Sequence, residues 1–245
     1  MPTNKSADKA DTLRVAALER ALSVLAVFDQ HAGPVTLAKL AEVTGLYKST
    51  ILRFLVSFES HGYIQRLSDG QYRVGPTLFR LGTIYEKTQS ARDLIVETLA
   101  HLVAQGTESA SFHVRDGQQR LCLYRVNSNH TTLDTVRAGD YLPLERGAAG
   151  RVLLAFGGAQ GGKFEALRAG GISLSEGERD PACWALAAPV FGREHALLGV
   201  ISLSGPKERF TEANIARMSA LLREAAKDCS ARAISLRETQ LRTAD

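Results

Sequence analysis

The sequence has few cysteines, no long apolar run and no apolar stretch near its N-terminus. Three cysteines, Cys122, Cys183 and Cys229, lie too far apart for a disulfide framework or a short-spaced metal site. Reduced, mostly buried thiols are expected. The longest apolar run, Cys183 to Phe191, is half the length that a bilayer crossing needs and contains Pro189, so no membrane span is expected. The opening residues MPTNKSADKADTLR are charged and lack the apolar segment of a signal peptide, which leads to the expectation of a cytoplasmic protein. Catalytic signatures are missing as well. The histidines at 31, 61, 101, 113, 130 and 195 show no metal-ligand spacing, and there is no G-x-S-x-G turn, G-x-G-x-x-G loop or Walker loop. An enzyme, a resident cofactor and a metal centre are therefore not expected.

What remains is ordinary globular material. The chain has 245 residues, 44% hydrophobic and 23% charged, which is enough for one or two domains, each with its own core. Thirty Lys and Arg oppose 26 Asp and Glu, for a net charge of +4. Most of that excess sits in residues 1–85, where ten basic residues face seven acidic ones. A basic N-terminal third is compatible with a polyanionic partner.

Periodicity divides the chain. After a polar arm, Leu18, Leu22, Leu25 and Phe28 repeat at helical spacing up to the breaker pair Gly33-Pro34. Thr36 offers an N-cap hydroxyl to a short helix, Leu37 to Val43, with Leu40 and Ala41 inward. Gly45 interrupts it, and a longer helix is expected from Lys48 to Ser60, closed by Gly62. Two alternating segments, 63–67 and 71–74, joined by Ser68-Asp69-Gly70, read as a hairpin. A helical stretch opens at Pro76 and continues, with a break near Ser90, to Gln105. Short strands are then expected at 109–115, 121–126 and 132–136, a helix at 148–156, a weak helix at 164–167, strands at 184–191 and 197–204, and a long helix from Thr211. The expected class is α+β: an N-terminal winged helix-turn-helix joined by a helix to an antiparallel sheet with packed helices.

The chemistry lies in the first part. A helix-turn-helix needs a small residue at the helix crossing, a glycine able to take positive φ in the turn and apolar anchors on the second helix. Ala41, Gly45, Ile51 and Leu55 meet those demands. Tyr47, Lys48, Ser49, Thr50 and Arg53 then fall on the outward N-terminal face, where a recognition helix meets base edges and phosphates. Thr36 joins them at the start of the preceding helix. Arg66, Gln71 and Arg73 on the hairpin would form a wing lying along the phosphate backbone or reaching the minor groove.

The run 46–55 (LYKSTILRFL), the continuation His61-Gly62-Tyr63-Ile64 and the segment 72–78 (YRVGPTL) resemble the DNA-binding domain of IclR-type bacterial transcriptional regulators. In the second part, Leu142-Pro143-Leu144 with 147–155 (GAAGRVLLA), then 175–179 (SEGER), 187–191 (AAPVF) and 201–206 (ISLSGP), resemble segments of the same family. The likeness covers about residues 12–235. It implies an arm (1–11), a winged helix-turn-helix domain (12–76), a linker helix (77–92) and a GAF-like effector-binding domain (93–238). It also implies a homodimer or tetramer on a palindromic double-stranded DNA operator, with a small organic-acid effector.

The resemblance places the effector pocket between the sheet and the loop before residue 148, involving Leu144, Ala149, Gly150, Glu176, Ala185, Ser202 and Ser204. Some of these residues support that placement themselves. Gly147 to Gly150 would present backbone N–H groups at a helix start, which suits a carboxylate. Ser202 and Ser204, two apart on one strand, point to one face. The same Gly-Ala run suits close packing, and the serines suit neighbouring backbone groups. The chain departs from the family pattern at Ala185, at Ser175-Glu176 and in the short, glycine-rich segment Gly157–Gly171. Phe112, Leu123, Leu133 and Leu144 would suit an aromatic or medium-sized acid, and are equally good core. The alternative is a winged-helix regulator of another family, which would differ only in its ligand-sensing domain.

Overall fold

The computed structural model describes residues 15–29, 31, 33–88 and 91–242. The arm 1–11 and the helix break near Ser90 lie outside the described residues. The chain forms two compact units, Met1–Thr88 and Gln89–Asp245.

The first unit contains α1 (Ala16–Asp29), α2 (Leu37–Thr44), α3 (Lys48–Ser60), a hairpin of β1 (Ile64–Arg66) and β2 (Tyr72–Val74), and α4 (Pro76–Thr88). Its core joins Val24, Val27 and Phe28 of α1 to Leu40, Ile51, Leu55, Ile64 and Tyr72. Of the residues that repeat at helical spacing, Leu18 and Leu22 are exposed. Burial on that helix is confined to its second half, where core neighbours are available. Gly45 takes φ 67° between α2 and α3, the left-handed turn that glycine makes without steric cost. His61, not Gly62, is the C-cap of α3; Gly62 follows in the left-handed region, and its N–H and that of Tyr63 bond the carbonyls of Glu59 and Phe58. That Schellman turn aims the chain into β1. Val35 bridges Tyr72, adding a third short segment to the wing.

The second unit contains α5 (Arg92–Ala104), β3 (Ser109–Asp116), β4 (Gln119–Val126), β5 (Tyr141–Pro143), α6 (Ala148–Phe156), α7 (Gly162–Gly170), β6 (Ser173–Glu176), β7 (Cys183–Phe191), β8 (Leu197–Pro206) and α8 (Glu212–Arg242). The strands form one sheet in the order β5-β4-β3-β8-β7-β6, every neighbouring pair antiparallel. Alternation of side chains gives it two different faces. Phe112, Leu186, Ile201 and Leu203 face α5 and α8 in the main apolar core. Ala187 and Val200 face α6 with Leu144, Val152 and Leu153.

Two strand expectations change. Residues 132–136 form no strand, because the outer edge of β4 is already occupied: Gly139 N–H donates to the Cys122 carbonyl and Cys122 N–H to that of Asp140, leading into β5 at Tyr141. Ser173–Glu176, where no strand was expected, is the edge strand β6. The weak helix at 164–167 extends over Gly162–Gly170.

Candidate nucleic-acid interface and buried cavity

On α3, Ile51 and Leu55 anchor one side in the core, which turns the other side out. Tyr47, the N-cap, is 84% exposed, and Lys48, Ser49 and Arg53 are exposed beside it; Thr50 is half-buried. Among the described residues none of these side chains has a hydrogen-bond or ion-pair partner in the protein. A cationic, aromatic and hydroxylic face at a helix start is thus left available. On the wing, Arg66 stacks over the Tyr72 ring at 5.9 Å, Arg73 Nε donates to Gln65 Oε1 at 3.1 Å, and Gln71 Nε2 donates to Asp69 Oδ2 at 3.0 Å. These contacts hold the wing side chains in place. Thr36 Oγ1 accepts the Lys39 N–H at 3.1 Å, so its oxygen caps α2.

The second unit has a cavity of about 40 Å³ on the α6 side of the sheet. The sheet register explains its floor. Ser175, Ala185, Ser204 and Ser109 stand in one transverse row, and Ser173, Ala187, Ser202 and Ser111 in the next. His113 continues the same phase along β3, and all six serines are buried.

Arg120 sits beside this floor on β4, 5% exposed. Its Nε donates to the Pro143 carbonyl at 3.3 Å and its Nη1 lies 3.1 Å from His113 Nδ1. Since a guanidinium only donates, Nδ1 must accept, which places the ring proton on Nε2, 2.9 Å from Ser111 Oγ. His113 is therefore neutral, and burial, reinforced by the charges of Arg120, Arg125 and Arg179, holds its pKa well below the usual value. Burial, then Arg179, lowers the Arg120 pKa to about 10. No described carboxylate lies within ion-pair distance of Arg120. Arg179, half-buried at the cavity, has no hydrogen bond or ion pair among the described residues. The acidic lining groups are otherwise engaged: Asp134 pairs with Arg125, and Asp180 Oδ1 accepts the Ala182 N–H. Burial, with Asp134 adding to it, pushes the Cys183 thiol at the cavity up to about 11.

Ala149, Ala185, Ser202 and Ser204 line the cavity, whereas Leu144, Gly150 and Glu176 do not. Leu144 is core beneath α6, and Glu176 is exposed. A Cβ on Gly150 would stand 2.2 Å from the Leu144 carbonyl oxygen, so this glycine serves helix-to-strand packing rather than approach of a ligand. The α6 start is not wholly free either, because Gly147 N–H donates to Glu178 Oε2 at 2.9 Å and Arg151 pairs with the same carboxylate. Phe112 and Leu123 pack on the opposite face of the sheet.

Sequence reasoning missed His113, Arg120, Arg179 and Asp180. Two of them carried a signal: Arg120 stands two residues before Cys122 and His113 two after Ser111, so alternation already placed each with a buried neighbour. Among the described residues no group of His, Cys, Asp and Glu could hold a metal ion, and no helix is long and apolar enough to cross a membrane.

Residues 17–68 match the IclR helix-turn-helix domain, and residues 161–231 match the bacterial transcriptional regulator IclR C-terminal domain. The HTH-type transcriptional regulator XynR of Escherichia coli is 25% identical over 237 residues, covering 86% of this chain and 94% of its own. The transcriptional repressor IclR of the same organism is 23% identical over 245 residues, covering 89% of each. Among solved structures, an IclR-type regulator from Alicyclobacillus acidocaldarius superposes with a TM-score of 0.76 at 22% identity, covering 89% of this chain and 98% of its own. An IclR homologue from Microbacterium hydrocarbonoxydans, complexed with 4-hydroxybenzoate, has a TM-score of 0.74 at 20% identity, covering 88% and 98%. At these identities the structural likeness speaks for the fold.

Proposed function

The chain belongs to the IclR family of bacterial transcriptional regulators, and from that premise we propose that a small organic acid, bound in the second unit, sets the affinity of the first unit for an operator. It is a DNA-binding regulator with a C-terminal ligand-binding domain, not an enzyme. The residues proposed to read DNA are Tyr47, Lys48, Ser49, Thr50 and Arg53 of the recognition helix. Thr36, Arg66, Gln71 and Arg73 contact the phosphate backbone.

The observation that carries the acid is Arg120. A buried guanidinium without a counter-carboxylate is costly, and an incoming carboxylate would relieve it with charge-assisted hydrogen bonds. Arg179, without a hydrogen bond or ion pair among the described residues, adds a second cation at the same cavity. The relative complexed with 4-hydroxybenzoate also holds an organic acid, which agrees with this reading.

Reading a palindrome requires two recognition helices about one helical turn of DNA apart, roughly 34 Å, so the working species is a dimer or tetramer. Exposed apolar side chains on α1 and α4, among them Leu18, Leu22, Ile84 and the 81% exposed Phe79, are proposed as the self-association surface.

The test is an operator titration of the full chain with and without organic acids, on wild type and Arg120→Lys. Lysine keeps the charge but not the fork that matches a carboxylate. An acid response in wild type that Arg120→Lys loses, with ligand-free operator binding retained, supports the proposal. An undiminished response in the variant overturns the role of Arg120.

A further inference from the structure

We propose that the acid taken by this cavity is small, aliphatic and hydroxylated, with its hydroxyl groups on Ser175 and Ser204. The inference rests on the organic-acid reading above and adds the chemistry of the rest of the ligand.

Hydrogen bonding separates the six floor serines into two groups. Ser109 Oγ accepts the Ser128 N–H at 3.0 Å, Ser111 Oγ lies 2.9 Å from His113 Nε2, Ser173 Oγ accepts from Arg151 Nε at 3.1 Å, and Ser202 Oγ donates to the Leu186 carbonyl at 3.0 Å. Ser175 and Ser204 have no such partner among the described residues, although they are only 4% and 8% exposed. Both line the cavity. Buried hydroxyl groups are ordinarily hydrogen-bonded, so these two are open for a ligand.

Their spacing is set by the sheet. Ser175 on β6 and Ser204 on β8 both pair with Ala185 on the strand between them. They therefore stand two strand spacings apart, about 10 Å, on the same face. Two hydrogen bonds of about 2.8 Å, one at each end, leave roughly 4–5 Å between the ligand's own oxygens. Hydroxyl groups on alternate carbons of a short chain meet that distance, whereas those on adjacent carbons fall short of it, and the Ala185 methyl leaves room for the chain between them.

Size and polarity point the same way. A volume of about 40 Å³ is far below the roughly 300 Å³ at which drug-sized ligand pockets begin. The apolar side chains that line it, Val136, Ala148, Ala149 and Ala185, are small, and the larger ones that would grip an aromatic ring are elsewhere, with Phe112 and Leu123 on the far face of the sheet and Leu144 under α6.

The experiment is isothermal titration calorimetry on the full chain with four kinds of probe. These are 2,4-dihydroxybutyrate and threonate as hydroxy acids, propionate and butyrate as unhydroxylated acids, 4-hydroxybenzoate as an aromatic acid, and glycerol as a neutral polyol. A hydroxy acid is expected to bind at least about tenfold tighter than any other probe. Ser175→Ala and Ser204→Ala are each expected to weaken it by about 5–10-fold while leaving butyrate unchanged. Retention of native Trp184 fluorescence establishes that these variants fold. Butyrate or 4-hydroxybenzoate binding as tightly as the hydroxy acids overturns this inference and leaves the organic-acid reading intact, as does unchanged affinity in both serine variants. Failure of every acid to bind overturns both, and glycerol binding as well as threonate refutes the anionic requirement.

Discussion

Gly150→Ala sets two effects of opposite sign against each other. Replacing glycine inside a helix normally stabilises by about 0.5–1 kcal/mol, because alanine loses less backbone entropy on folding. Here the added methyl would stand 2.2 Å from the Leu144 carbonyl oxygen and 2.9 Å from its carbon. Both are backbone atoms of a residue anchored in the α6 core, so neither can rotate away as a flexible side chain would. Ordinary contact requires the helix start and residue 144 to separate by about 1 Å, and overpacking of that kind costs about 1–3 kcal/mol. The net expectation is destabilisation of about 1–2 kcal/mol, in the second unit alone. Trp184, the only tryptophan, lies on β7 and reports that unit. Urea unfolding followed by its fluorescence should show a midpoint lower by about 0.5–1 M, given m-values of about 1–3 kcal/mol/M. Gly170→Ala, at the end of α7 with nothing within 4 Å, is the control and should leave the midpoint unchanged or slightly raised. A midpoint that rises in Gly150→Ala refutes the close-approach explanation.

Other perturbations act on different groups. Arg53 has no side-chain hydrogen-bond or ion-pair partner among the described residues, so Arg53→Ala should leave thermal stability unchanged and weaken specific operator binding by about 1–3 kcal/mol, measured by fluorescence anisotropy at fixed salt; unchanged affinity would remove Arg53 from the interface. The depressed pKa of His113 means that the unfolded chain binds the proton first, so its contribution to stability is present above about pH 6.5 and is lost as pH falls below that value. The Trp184 urea midpoint should therefore drop between pH 7.5 and 5.5 more in wild type than in His113→Gln, and an equal drop in both would count against the neutral histidine. Glu108, buried on β3's approach, is gripped by Arg209 through Nε at 2.6 Å and Nη2 at 2.7 Å, and Arg209→Met leaves that carboxylate only His130 Nε2, 3.6 Å from Oε1. A loss of about 3 kcal/mol or more is expected in chemical denaturation at pH 7, shrinking when Glu108→Gln is added, whereas an additive double variant would show that the pair is not coupled.

The first unit was largely legible because its determinants are local. Ala41, Gly45, Ile51 and Leu55 fix a helix pair within fifteen residues, and the hairpin follows from one Asp-Gly turn. The sheet of the second unit was legible where strands are long and apolar, as in β7 and β8, but not at its edges. Strand 132–136 had the right alternation, yet its place on β4 was taken by residues 139–142, a competition that no local pattern reveals. Half of the cavity was hidden for the same reason. His113, Arg120, Asp134 and Asp180 line one cavity only through the fold, and Ser175 meets Ala185 and Ser204 only because three strands bring them into register. Gly150 was legible as a constrained glycine, but not which atom constrained it; the Leu144 carbonyl supplies that answer.

The most direct measurement of the proposed coupling is operator affinity with the cavity empty and with it filled. Fluorescence anisotropy of a labelled operator duplex, selected by this chain from random sequences, is recorded at one salt concentration without acid and at an acid concentration that saturates binding by calorimetry. A change of about 5–150-fold is expected, and linkage requires the operator to change the acid's affinity by the same factor. Equal operator affinity in the empty and saturated states would contradict the proposed regulation, even if the acid binds and the recognition helix reads DNA as described.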